Sequence, residues 1–574
     1  NWMSLFTRKP LADLLAEASE TGEYALEKSL GTWGLISLGI GAIIGAGLFS
    51  ITGIAAANYA GPSIIFSFII AAIGCAFAGL CYAEFASMIP VAGSAYTYSY
   101  ATMGEFVAWI IGWDLVLEYA VGAATVASSW SGYLDKFLTE FGFNFPKELL
   151  MTPFDSLKLE SGEVIHGFMN LPAVFIVIIM SLVLIRGTRQ SSFVNNIIVI
   201  VKVALVLIFI AVGFQYIRPE NHVPFIPENT GRFGEYGFSG IIRAAAIVFF
   251  AYIGFDAVST AAQETKNPKK AMPYGILGSL LICTVLYILF AFVMTGVTNY
   301  KNYSADPTDS LAPVAVAINN MGAVGADGVV DAAYPWLNTS IVVAILFGYA
   351  SVILVLLLGQ SRVFYSMSKD GLIPRVFSTI HPKFKTPYKS NLFFLVFISL
   401  FAAFVPGRVV GEMTSIGTLF AFILVCLGVL ILRRTMPDAP RAFRVPLVPL
   451  IPILGILTCF FMMIFLPFDT WMRLILWMIV GLDIYLFYSI KHSKLTSVQP
   501  NIMRKANKTV GTSGLVLTVI LLIVALAHFY TADVHPDTGN INEIGLFYFS
   551  IVVGIIHLVV YIIAISKGFK KVDA

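Results

Sequence analysis

Apolar runs about 20 residues long, the length that crosses the hydrocarbon core of a bilayer, recur along the chain between shorter polar stretches. Windows of that size pick out segments near 32–56, 63–90, 104–133, 171–186, 192–217, 238–262, 274–298, 337–361, 390–407, 411–432, 446–467, 471–490, 514–531 and 543–566. The pattern predicts fourteen helices and no sheet, an all-α polytopic membrane protein. Segments 4 and 9 are short, and Pro446, Pro449 and Pro452 interrupt segment 11. An even number of crossings puts both termini on one side.

Composition agrees and excludes the alternatives. Of 574 residues 58% are apolar and 12% charged, where a soluble protein carries about 25% charge, and the mean hydropathy is +0.84. A soluble enzyme and a disordered chain are both excluded. A net charge of +3 gives no reason to expect nucleic acid. The five cysteines, Cys75, Cys81, Cys283, Cys426 and Cys459, all lie in apolar runs and read as small packing residues. Residues 1–30 carry Asp13, Glu17, Glu20, Glu23 and Glu27, so no cleavable signal is expected. With the N-terminus inside, the inner stretches hold 26 Lys and Arg and the outer ones 8. By the positive-inside rule both termini are then cytoplasmic, in a cell membrane.

The longest connections, 134–170 and 299–336, are rich in Pro, Asp and Asn and read as partly ordered outer caps. Residues 1–30 form a cytoplasmic N-terminal segment, 31–433 the ten-helix core, 434–490 helices 11 and 12, 491–513 a polar, basic linker, and 514–574 a final helical pair with a basic tail.

Segment 1 places four glycines in the nine residues Gly39–Gly47. Each costs a helix about 1 kcal/mol against alanine and lets another backbone approach. Gly41 and Gly45 also form a GxxxG, which packs helices tightly, and that reading stays open beside a true break. Segment 6 has Gly254 at mid-span with Asp256 beside it. Glycine interruptions in segments five apart point to a midplane site in inverted-repeat transporters, because broken backbone survives in a membrane only when buried or lining a cavity. One half-helix end favours a carboxylate and the other an ammonium, and an α-amino acid carries both.

Three runs carry a family resemblance. GIGAIIGAGLFSITG (Gly39–Gly53), FFAYIGFDAVSTAAQETKNPKKAMP (Phe249–Pro273) and GQSRVFYSMSKDGLIP (Gly359–Pro374) resemble the amino acid–polyamine–organocation transporters. GWDLVLEY (Gly112–Tyr119), SIGTLFAF (Ser415–Phe422) and RAFRVPLVPLIPILGIL (Arg441–Leu457) are similar to the cationic amino acid transporter branch in a bacterial form. Over about residues 30–490 the resemblance implies a LeuT-type core, segments 1–5 and 6–10 forming inverted repeats, with no cofactor. It implies alternating-access uptake of L-amino acids, cationic ones such as arginine, lysine and ornithine and small neutral ones such as alanine. Partners are the amino acid, protons and the bilayer, and a small membrane partner subunit stays open. Exchange without net proton movement is the alternative, and a passive channel the next. No metal-spaced ligand set, catalytic triad or phosphate loop appears, which argues against an enzyme.

The resemblance also assigns a site. The N–H groups of Gly45, Ala46 and Gly47 face the substrate carboxylate, Ala46 replacing the Ser or Thr of many relatives; the carbonyls of Ile43, Phe250, Ala251 and Ile253 face the ammonium. Phe250 closes over the substrate, with plain packing as its other reading. Lys202 is central in segment 5, too deep to snorkel, and an ionisable residue there is a functional candidate. The resemblance puts it against the segment 1 break near Ile40 and Gly41, where its proton takes the place of a sodium ion; a static cap on free carbonyls is the alternative. Asp114 and Glu118 share a face at i, i+4. Glu118 then meets the cationic end of a substrate, or both acids serve a protein network. Leu356 of segment 8 borders the side-chain pocket. Glu84, Arg243, Asp256, Glu264 and Arg362, near segment ends or breaks, are read first as structural, their charge pairs being placed where they could lock one gate.

Overall fold

The computed structural model describes residues 5–18, 31–89, 93–186, 192–260, 266–305, 310, 312–384, 386–495, 500–534 and 542–569. Its apolar runs form helices α1 to α14 in chain order: 32–60, Ile64–Met88, Glu105–Glu140, Leu171–Ile185, Ser192–Phe214, 237–260, Pro268–Val297, Pro335–Lys369, Tyr388–Phe404, Gly407–Thr435, Leu450–Ile464, Phe468–His492, Pro500–Thr531 and Ile544–Phe569. Helix formation satisfies the backbone polar groups inside each segment, as hydrocarbon demands, and leaves only those at helix ends and breaks.

Two helices are broken where glycine allows it. In α1 the helix Thr32–Ile43 stops at Ile44, which is extended (φ −72°, ψ 111°), and a second half starts again at Ala46–Gly47. In α6, Gly237–Val248 tightens into the 3-10 turn Phe249–Tyr252; Ile253 is extended, and Gly254 at φ +120° leads into Phe255–Thr260. That φ belongs to glycine. The breaks lie against each other: a Cβ on Gly47 would sit 2.1 Å from Ala251 Cα, and one on Gly254 would sit 2.4 Å from the Ala42 carbonyl oxygen. A third irregularity, absent from the sequence pattern, is a π-helical turn at Leu117–Val121 in α3.

Around this centre α7 packs on α1 and α2, α8 on α3, and α10 on α11 and the π turn of α3. Trp113 of α3 and Trp477 of α12 exchange indole N–H bonds to each other's carbonyls (2.7 and 3.0 Å), with rings stacked 4.4 Å apart. The α13–α14 pair leans on α12, where Asp483 takes bonds from His557 (2.7 Å) and Tyr561 (3.1 Å).

The linker expected over 491–513 is shorter than the polar composition suggested, because α13 begins at Pro500. Proline suits a first helical turn, and Arg504 is anchored by its Nε bond to the Gly568 carbonyl (2.9 Å), so the basic residues ride on a helix. The two long connections each fold a small hairpin, Ser156–Lys158 with Val164–His166 and Gly322–Val324 with Val330–Ala332.

On the face carrying the N-terminus, residues 5–9 lie along the start of α3. Glu105 N–H bonds the Thr7 carbonyl, Phe106 N–H that of Leu5, and Lys9 N–H that of Tyr100. Lys9 Nζ pairs with Asp370 at the end of α8 (3.0 Å), and Tyr96 donates to the same carboxylate (2.7 Å). The extended N-terminal segment 5–9 thus ties the start of α3 to the end of α8.

Candidate functional site

The second half of α1 begins at Gly45–Gly47, and the first turn of a helix leaves its N–H groups without intrahelical acceptors. The Gly45 carbonyl takes the N–H groups of Leu48 (3.1 Å) and Phe49 (3.2 Å). That leaves the amides of Gly45, Ala46 and Gly47 at the positive end of a half-helix dipole.

The carbonyls assigned to the ammonium are not all free. Tyr287 of α7, fully buried, places its hydroxyl 3.0 Å from the Ile43 carbonyl and 2.7 Å from that of Ala251. The Phe250 carbonyl takes the Ile253 N–H at 3.2 Å. Tyr287 has one proton and each carbonyl two lone pairs, so Ile43 and Ala251 keep acceptor capacity beyond this bond. Tyr287 sews the two breaks together, and sequence reading missed it. Phe250 is buried at the 3-10 turn.

Lys202 lies in the middle of α5 and is only 6% exposed. Its ammonium donates to the Gly41 carbonyl at 3.1 Å, one turn before the α1 break. The lysine therefore touches the first half of α1, and the helix break is within one turn of its charge.

Glu118 lies inside the π turn of α3 and is 1% exposed; Asp114 is fully buried one turn earlier. None of their four carboxylate oxygens has a hydrogen-bond partner among the described residues. The charged neighbours of Glu118 are Asp256 and Asp114, so this patch is acidic. A π turn displaces the residues that follow it and recurs at functional sites. Asp256 accepts a bond from Tyr119 (3.1 Å), joining the lower part of α6 to α3. Leu356 of α8 is half-buried and packs toward Gly122, one turn past Glu118.

Glu84 and Arg243 make their bonds to other elements. Glu84 pairs with Arg433 and accepts the Val445 N–H at 3.2 Å. Arg243 donates to the carbonyls of Phe465 and Phe233. Glu264 lies outside the described residues. Two tyrosines brace the second half of α1: Tyr349 of α8 bonds Ser50 at 2.8 Å, and Tyr133 of α3 donates to the Phe49 carbonyl.

Paired helix breaks around a buried polar centre are the arrangement of helical membrane transporters. The amino acid permease family model matches residues 30–484. The chain is 44% identical over 494 residues to the branched-chain amino acid permease BcaP of Bacillus subtilis (strain 168), covering 86% of this chain and 99% of that one. It is 40% identical to the methylthioribose transporter of the same organism, with the same coverage. It is 34% identical to the vacuolar cationic amino acid transporter 4 of Arabidopsis thaliana, over 76% of this chain and 68% of the relative. The chain belongs to the amino acid permease family of the amino acid–polyamine–organocation superfamily. It is a transporter and not an enzyme.

Proposed function

We propose that the protein takes up L-amino acids coupled to protons, by alternating access in a plasma membrane with both termini in the cytoplasm. The observation that carries the coupling is the bond from Lys202 to the Gly41 carbonyl at 3.1 Å, beside the α1 break. As an ammonium, Lys202 holds α5 against the first half of α1; as a neutral amine it is a weaker donor and lets that half-helix move. Hydrogen bonds from charged donors are roughly twice as strong as neutral ones. A proton bound from outside and released inside thereby follows the same conformational cycle as the amino acid.

The amino acid is held by opposite ends of broken helices: its carboxylate by the amides of Gly45, Ala46 and Gly47, its ammonium by spare carbonyl lone pairs of Ile43, Ala251 and Ile253. Phe250 closes the site. The two unpartnered carboxylates of Asp114 and Glu118 favour a cationic side chain, arginine, lysine or ornithine. A second reading, an apolar side chain, is favoured by Leu356 and by the 44% identity to a branched-chain permease.

Ligands that bind the folded state raise its apparent stability, so thermal shift of the purified protein with single amino acids separates the readings. Arginine and lysine shift the wild type, and Glu118→Gln loses that shift; leucine and valine shifting it instead select the second reading. Lys202→Met should bind substrate yet take it up without response to an imposed proton gradient. Gradient-driven uptake by Lys202→Met equal to wild type removes Lys202 from the coupling.

A further inference from the structure

The α13–α14 pair lies beyond residue 484, where the family match ends, yet it reaches into the face opposite the N-terminus. A cavity of about 450 Å³ opens there between Ile54 and Asn58 of α1, Ser128 of α3, Asp155 of the first cap, Arg408 at the start of α10, and Glu543 immediately before α14. Its size is that of a small-molecule pocket. Ser128 is 2% exposed and lines it with a hydroxyl that has no partner among the described residues.

The charges on its wall are unequally held. Arg408 is bound from below by Glu412 at 3.1 Å, and Glu412 is independently satisfied by Tyr59 (3.1 Å) and Thr470 (2.8 Å). Toward the cavity Arg408 stays 38% exposed, and its Nη2 lies between Glu543, 35% exposed and 3.8 Å away, and the buried Asp469 at 3.9 Å. Glu543 has a closer cation in Arg473, at 3.1 Å, and Asp469 keeps Arg473 in place at 2.8 Å. Glu543 therefore remains paired when Arg408 turns to another anion. Asp155 lies within the field of Arg408 and takes both Thr152 donors on one oxygen, and burial raises its carboxyl above the ordinary value. A cation and an acid thus flank one cavity, with an unpartnered hydroxyl on its wall.

We propose that this cavity is a first station for the amino acid on its way in: Arg408 takes the α-carboxylate in exchange for Glu543, and Asp155 faces the α-ammonium. The final helical pair thereby supplies an internal competitor for the substrate. The proposal rests on amino acid uptake as the function. It adds to the central site a second one that governs arrival rather than affinity at the helix breaks.

The test is initial-rate uptake of labelled L-arginine and L-leucine into proteoliposomes, read as KM and Vmax for wild type, Arg408→Gln, Asp155→Asn and Glu543→Gln. Arg408→Gln and Asp155→Asn should raise KM by about two- to five-fold, the factor that a partly exposed ion pair is worth, with Vmax kept. Glu543→Gln should lower KM by a similar factor, since it leaves Arg408 Nη2 facing only Asp469, which Arg473 already holds. Thermal shift by the same amino acid, which reads the central site, should persist in all three. The opposite signs are the discriminating feature, because a mere brace between α10, α12 and the final pair weakens from either side. Equal KM values throughout, or a rise with Glu543→Gln, overturn the proposal while leaving uptake intact. Absence of uptake by wild type instead overturns the function on which it rests.

Discussion

Replacing Gly47 by alanine tests whether contact between the two helix breaks is required for transport. The new Cβ would lie 2.1 Å from Ala251 Cα and 2.5 Å from its nitrogen. Carbon atoms rest at roughly 3.5 Å or more, so the breaks must separate by about 1.4 Å. The obstacle is backbone on both sides, and no side-chain rotation relieves it. Overpacking costs typically about 1–3 kcal/mol, which a polytopic core survives, but the spacing between the amides of α1 and the carbonyls of α6 does not. Displacements near 1 Å from a productive geometry cost on the order of 100-fold in function. Gly31→Ala, immediately before α1, is the control: its Cβ would meet nothing within 4 Å. Both variants would be purified, checked for monodispersity and assayed for initial-rate uptake and for thermal shift by substrate. Gly47→Ala should lose uptake by ten-fold or more (on the order of the displacement penalty above) and lose its substrate shift, while Gly31→Ala stays close to wild type. Wild-type uptake by Gly47→Ala, or equal damage from both, would refute the account of the breaks.

Two further predictions follow from the ties around the centre. Tyr287→Phe removes the hydroxyl shared by the Ile43 and Ala251 carbonyls; a lost hydrogen bond costs about 0.5–1.5 kcal/mol and a buried orphan acceptor about 1–3, so a lower melting temperature and slower uptake are expected, and an unchanged melting curve would show the bond to be idle. Asp370→Asn weakens the anchor that Lys9 and Tyr96 share; limited proteolysis within residues 5–18 should accelerate, and an unaltered rate would mean that the backbone bonds to α3 alone hold the strand.

The fourteen helices were legible as apolar runs, most of them of the length that hydrocarbon thickness imposes, although α4, α9, α11 and the first half of α6 are shorter. The breaks were legible for a related reason: Gly39–Gly47 and Gly254 offend helix propensity in the middle of apolar runs, and that conflict has to be resolved somewhere. Lys202 stood out by the cost of a charge at that depth. Tyr287 did not, since one of 24 tyrosines in an apolar helix announces nothing, and its partner at Ile43 is 244 residues away in the chain. The π turn around Glu118 was equally hidden, because 3.6-residue periodicity cannot mark a single inserted residue. The start of α13 was misjudged since polar residues 500–513 look like linker until Arg504 finds the Gly568 carbonyl. Glu543 carried no signal at all: its meaning lies in Arg408 and Arg473, which belong to other helices.

The central claim is proton-coupled uptake of amino acids, and its most direct test is labelled arginine and leucine uptake into sodium-free proteoliposomes with an inward proton gradient. The account predicts accumulation above the external concentration that collapses when a protonophore is added. Accumulation that requires sodium and ignores the proton gradient, or mere equilibration under every gradient, would contradict it.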